Sequence, residues 1–208
     1  MVGRRSVPAW LPLLSAAFIL LILAIVVGSL RRAEPRTFQL SELSETGFGT
    51  EQSLVGPTVV SLDARSADEW TWYDFSRAAS PKVPGPMEWD LGVRRFQLLV
   101  NGGPGFDGNG GVLATEERFA ELAGAPTGEY EVSRVTPGGD SLNAGFDDWY
   151  EYGFFSHLLE PRDATYVLRT AEGHYVKLRI LSYYCPGPEP GCLTIEYAYQ
   201  GNGSRRLR

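Results

Sequence analysis

Histidine, cysteine, methionine and lysine each occur only twice in the 208 residues. That scarcity excludes much. His157 and His174 leave few choices for a general base, and there is no Gly-x-Ser-x-Gly nucleophile elbow. Cys185 and Cys192, with no further cysteine or nearby histidine, cannot complete a four-ligand metal set. No Gly-Lys-Ser/Thr follows the glycine-rich stretch Asn101–Gly111, so it is not a phosphate-binding P-loop. A flexible surface loop after a strand is the expected reading there. Lysine is nearly absent and the net charge is -6. Five arginines against one acid lie in residues 1–36, so the remainder is close to -10. An acidic folded part cannot neutralise phosphates, which argues against nucleic acid as a partner. Asp147, Asp148 and Glu151 cluster, but clustered acids read first as a solvated strand edge. The case for an enzyme is weak, and no internal repeat is visible.

What is present is apolar and aromatic: 43% hydrophobic and 12% aromatic residues, enough for a packed core. From Ser6 to Leu30 no residue is charged, and WLPLLSAAFILLILAIVVGSL is 21 residues long. As a helix it would reach roughly 30 Å, the thickness of a bilayer core. It ends in GSLRRAEP, without a good Ala-x-Ala cleavage site and without a cysteine for lipid attachment. The expected reading is an uncleaved transmembrane anchor, with a cleaved signal peptide as the alternative. The expected organisation is a short tail 1–7, an anchor 8–30, a polar stalk 31–54 and a β domain 55–208. Arginines flank the anchor on both sides and slightly favour a cytoplasmic domain. The cysteines point the other way. They bracket a Pro/Gly turn, and a disulfide there would add roughly 2–3 kcal/mol in the chain-entropy model. Two unrelated thiols are the alternative. A disulfide needs an oxidising compartment, which puts the domain in the periplasm or outside the cell.

Beyond Val55 the pattern has period two. Leu193, Ile195, Tyr197 and Tyr199 share one strand face, with Thr194, Glu196 and Ala198 opposite. Val176, Leu178 and Ile180 alternate with Tyr175, Lys177 and Arg179. TYVLRT and HYVKL flank AEG, a hairpin turn whose glycine supplies positive φ. EWTWYDFS, EWDLGVRRFQLLV and GEYEVSRV read as further strands, and Thr115–Ala123 reads as a helix capped by Thr115. The expected class is an all-β, antiparallel, two-sheet domain with one short helix, preceded by the transmembrane helix. The many aromatics read first as core, with some free to line a pocket for a flat apolar ligand. On physics alone His157, after two phenylalanines, reads as a hydrogen-bonded structural residue, and His174 as an exposed turn residue.

Taken together, the motifs resemble the HmuY-like family of bacterial haem-binding proteins of the haemophore type. The matching pieces run in the family's order: EWTWYDFS, EWDLGVRRFQLLVNGG, the glycine-rich loop, DWYEYGFFSHLLEP, TYVLRTAEGHYVKLRILSYY and LTIEYAYQGNGS. They cover roughly residues 56–204. The resemblance implies a largely β fold, haem held between sheet-borne loops, a cell-envelope location and no catalysis. It implies His157 as a haem axial ligand, with Trp149, Tyr152 and Phe155 as the pocket wall, and metal bound only through the haem iron. It implies transfer to a partner such as an outer-membrane haem receptor or another envelope protein, with the membrane met through the N-terminal helix. The founding type uses two histidines, whereas no histidine lies between Gly102 and Tyr152 here. His174 falls on a hairpin position that the family does not use as a ligand. Two functions stay open: a tethered haem carrier, and a structural or protein-interaction domain that keeps the same β fold.

Overall fold

The computed structural model describes residues 10–30, 34–47 and 54–208. The expected tail 1–7, and positions 31–33 and 48–53 of the expected stalk, lie outside the described residues. The chain divides into two compact units. One holds the N-terminal helix and Tyr152–Leu158; the other holds Pro35–Glu151 and Leu159–Arg208.

Helix α1, Trp10–Leu30, is 21 residues long and carries no charge in its first or last turn. Leu13, Leu14, Phe18 and each leucine and isoleucine from Ile19 to Ile25 are exposed. The helix forms where the apolar run predicts it. The expected transmembrane span is nevertheless not established: among the described residues no helix is long and apolar enough to cross a membrane.

The described residues form twelve strands, antiparallel throughout in the two larger sheets. Their bounds are β1 Val55–Asp63, β2 Thr71–Tyr73, β3 Leu91–Arg94, β4 Gln97–Val100, β5 Gly111–Thr115 and β6 Arg134–Val135. They continue as β7 Ser141–Leu142, β8 Tyr150–Tyr152, β9 Leu159–Pro161, β10 Thr165–Arg169, β11 Tyr175–Cys185 and β12 Glu189–Gln200. A five-stranded sheet has the order β1-β12-β11-β10-β5. A three-stranded sheet, β2-β3-β4, and two ribbons, β6-β7 and β8-β9, accompany it.

The alternation read from sequence sets the register. Leu178 pairs with Tyr197 and Lys177 with Ala198 in the β11–β12 ladder. The even positions of β11 and the odd positions of β12 therefore share the inner face. Tyr197 on that face meets Tyr73 of the small sheet through a hydroxyl pair of 2.8 Å, and Phe75 edge-on at 4.9 Å. Each large apolar side chain fully buried between the sheets stabilises by about 1.5–3 kcal/mol. The outer face is covered too, by a smaller cluster of Leu122, Ala125, Val167 and Leu207. Double coverage explains why β12 is buried on both sides although its pattern alternates.

The β10–β11 hairpin turns as expected, with Gly173 at φ +92. Cys185 and Cys192 form a disulfide across the β11–β12 turn. Three expectations need correction. EWDLGVRRFQLLV is a hairpin of β3 and β4 rather than one strand, reversing at Arg95, whose φ is +52. GEYEVSRV is strand only at its end, in β6. Thr115–Ala123 is not a helix: Thr115 ends β5, and one turn follows, closed by the Leu122 N–H on the Arg118 carbonyl. The Phe119 carbonyl, which a helix would bond to the Ala123 N–H, is taken elsewhere, and carbonyls that follow it are held as well. Lys177 Nζ donates to Phe119 O and Leu122 O, and the Leu207 N–H takes Ala123 O. The remaining helix of the β unit is a 3-10 turn at Ala144–Phe146. Within the expected stalk, Phe38 N–H donates to Tyr184 O and Ser41 N–H to Ser61 O, so these residues lie along β11 and β1.

Candidate functional site

Asp90 ties the two sheets together and was not singled out in the sequence. It is buried; its carboxylate accepts from Phe75 N at 2.9 Å and from Ala171 N at 2.8 Å. Burial pushes its carboxyl well above the usual carboxylate range, with Glu172 and Asp74 adding to the effect. The glycine-rich loop beside it is not a free surface loop. Asn101 Nδ2 donates to Pro86 O and Trp89 O, while its own oxygens accept from Gly108 N and Gly110 N. A buried asparagine pins the loop as a structural corner. Asp147, Asp148 and Glu151 are exposed as expected, and Glu151 faces Arg162 at 3.7 Å. Among the described residues no group of three or more His, Cys, Asp or Glu is placed to hold a metal ion.

Trp149 belongs to the β unit. It is 1% exposed, and its indole N–H donates to Phe96 O at 2.8 Å. With Phe96, Leu98, Phe146 and Tyr150 it lines a cavity of about 350 Å³ that has no histidine in its wall. His174 is also in this unit. It is half-buried rather than an exposed turn residue. Its Nδ1 shares a 2.9 Å hydrogen bond with the Tyr199 hydroxyl, and its N–H donates to Thr170 Oγ1.

His157, Tyr152 and Phe155 belong to one unit and Trp149 to the other. The segment Tyr152–Leu158 closes on itself. His157 N–H donates to Gly153 O at 2.7 Å, and Gly153 N–H donates to Leu158 O at 2.9 Å. That closure holds His157 at φ +55, in the left-handed region. Such a conformation costs a non-glycine residue about 1–3 kcal/mol, and strain of this kind gathers at functional sites. The Tyr152 hydroxyl and His157 Nδ1 share a 2.5 Å hydrogen bond, with donor set by the imidazole tautomer. Phe154 and Phe155 meet edge-on at 5.3 Å and are 75% and 52% exposed. Phe155 lies against the end of α1, its ring 3.6 Å from where a Gly28 side chain would begin.

This segment presents one oriented imidazole and, within a few residues of it, two exposed phenylalanines. With Nδ1 engaged, Nε2 is the nitrogen left to bind. Where Nδ1 carries the proton and donates to Tyr152, Nε2 holds a free lone pair, the form in which imidazole binds a metal.

Residues 66–197 match the family model described as HmuY protein. No curated protein matches the chain. Among solved structures, the apo HmuY analog of Tannerella forsythia is 14% identical, with 77% of this chain and 99% of that chain covered and a TM-score of 0.59. A Bacteroides vulgatus protein named as an HmuY-like haem-binding protein is 22% identical, with 75% and 97% covered and a TM-score of 0.54. A Bacteroides fragilis protein named as a lipoprotein is 18% identical, with 67% and 86% covered and a TM-score of 0.55. At these identities the structural likeness carries the fold.

Proposed function

We propose, from the premise that this chain belongs to the HmuY family, that it is a haem-binding protein of the cell envelope. It would hold haem through His157 and be tethered by its N-terminal helix. The observation that carries this reading is the exposed imidazole of His157, oriented by Tyr152 in a closed segment that also exposes Phe154 and Phe155. Bound haem supplies an iron whose axial position accepts an imidazole nitrogen. The residues fit one such ligand. Tyr152 orients the ring and leaves Nε2 outward, and Phe154 and Phe155 offer apolar faces to a flat macrocycle. His174 reads as a structural residue rather than a second ligand, because it is half-buried in the β unit and bonded to the buried Tyr199. One protein ligand holds less tightly than two, which suits a carrier that gives up its cargo to a receptor or another envelope protein.

The tether rests on the uncharged 21-residue helix and on the uncharged stretch from Ser6. The whole segment matches a bilayer core of about 30 Å. The disulfide favours an oxidising compartment for the β unit. The names of the Bacteroides relatives, haem-binding and lipoprotein, are in keeping with both parts of the reading. Haemin titration of the full chain in lipid nanodiscs, followed by Soret absorbance, tests it. The expected result is a saturable shift that His157→Ala removes. An equal response in both proteins would favour the other reading, a family fold used for structure or protein interaction.

A further inference from the structure

The outer face of the five-stranded sheet carries a second cavity, of about 590 Å³, which the haem reading does not use. It is the larger of the two described cavities and within the range of small-molecule sites. The turn at Arg118–Leu122 and the segment near Leu207 roof it over β11 and β12. Its floor is apolar, with Phe119, Ala198 and Leu207 in its wall.

The charges around it are unusual for an acidic domain. Arg118, Lys177, Arg179 and Arg208 stand against Glu121, Asp163 and Glu196. Two of the cations are already paired, Arg118 with Glu121 and Arg179 with Glu196. Lys177 is different. It is 5% exposed, and its ammonium lies 5.0 Å from the Phe119 ring centre. It donates to the carbonyls of Phe119 and Leu122, both at 2.9 Å, and among the described residues it has no carboxylate partner. An ammonium has three donors, so one remains. A buried charge without an ion-pair partner is costly. Burial and Arg208 hold the Lys177 pKa below the usual lysine range, against an opposing pull from Glu117.

We propose that this cavity binds a small amphiphilic carboxylate, its headgroup on Lys177 and its apolar body along Phe119, Ala198 and Leu207. One remaining ammonium proton matches one carboxylate oxygen. A dianion such as a phosphate monoester is disfavoured by the three acids in the wall. The site is not a haem site, because none of its lining residues is a histidine, methionine or tyrosine. It is therefore independent of the reading above.

The test is calorimetric titration of the full chain in nanodiscs with octanoate, beside 1-octanol. Ala198→Leu narrows the cavity while keeping every charged residue of its wall, and its titration is the blank for partitioning into lipid. The expected result is saturable octanoate binding by the wild-type chain that is at least tenfold weaker in Ala198→Leu. Octanol should bind at least tenfold more weakly than octanoate. Lys177→Met should also abolish binding. Because that change strands two carbonyls and could unfold the turn, Arg208→Gln, on the rim, serves as a second variant and should weaken octanoate but not octanol. Absence of saturable binding, equal binding by Ala198→Leu, or equal affinity for octanol and octanoate would each overturn the proposal.

Discussion

The two histidines make the same bond in opposite settings. Each Nδ1 meets a tyrosine hydroxyl, His157 at Tyr152 and His174 at Tyr199, with ring centres 5.9 and 6.1 Å apart. Tyr199 is 1% exposed, and burial, reinforced by the negative charge of Asp90, pushes its hydroxyl pKa up. His174 sits at a hairpin turn the sheet itself specifies. Tyr152 is 55% exposed, and its histidine is held in a left-handed backbone beside exposed phenylalanines. Hydrogen-bonding alone thus does not separate a structural histidine from one available to a ligand. Burial of the partner and strain in the backbone do.

The sharpest contrast in stability lies between Asp90 and the loop. Asp90→Ala orphans two buried N–H groups, and each costs about 1–3 kcal/mol. A loss of about 2–5 kcal/mol is expected in urea denaturation. The same carboxyl makes stability depend on pH. Its folded-state pKa is raised, so the unfolded chain ionises first. Its stabilisation is fully present below the ordinary carboxylate range and is lost as pH rises through the folded value. Asp90→Asn should flatten that slope between acid and neutral pH, measured as the denaturation midpoint against pH.

His174→Ala removes a half-buried bond and should cost about 1 kcal/mol, with haemin binding unchanged. His157→Gly relieves a positive φ against a glycine's own entropy cost. A gain of about 0.5–1 kcal/mol is expected, together with loss of the Soret shift. A loss of stability in that variant would mean that the imidazole supports the fold. Phe154→Ala should move stability by less than about 0.5 kcal/mol while weakening haemin binding several-fold. Unchanged haemin binding would remove the phenylalanines from the site.

The sequence revealed what depends on neighbours along the chain. Period-two alternation marked β10, β11 and β12, and the cysteine spacing marked the hairpin that closes with a disulfide. What it missed depends on contacts far apart in sequence. Thr115–Ala123 has the apolar spacing of a helix, but Lys177, more than fifty positions later, captures its carbonyls. The glycine-rich loop looked free because the role of Asn101 is visible only once Pro86 and Trp89 surround it. In the site, His157 stood out as a rare residue type. Its hydrogen bond to Tyr152 did not, because a pair five positions apart has no fixed geometry in a closed loop. Trp149 enters the expected wall through the family resemblance, and its burial in the β unit is visible only in the structure.

The most direct test of the account titrates haemin into the His157→Ala and His174→Ala chains side by side and compares their Soret spectra. The account predicts a wild-type spectrum and affinity for His174→Ala and a lost shift for His157→Ala. A lost shift in His174→Ala, or a retained one in His157→Ala, would contradict it.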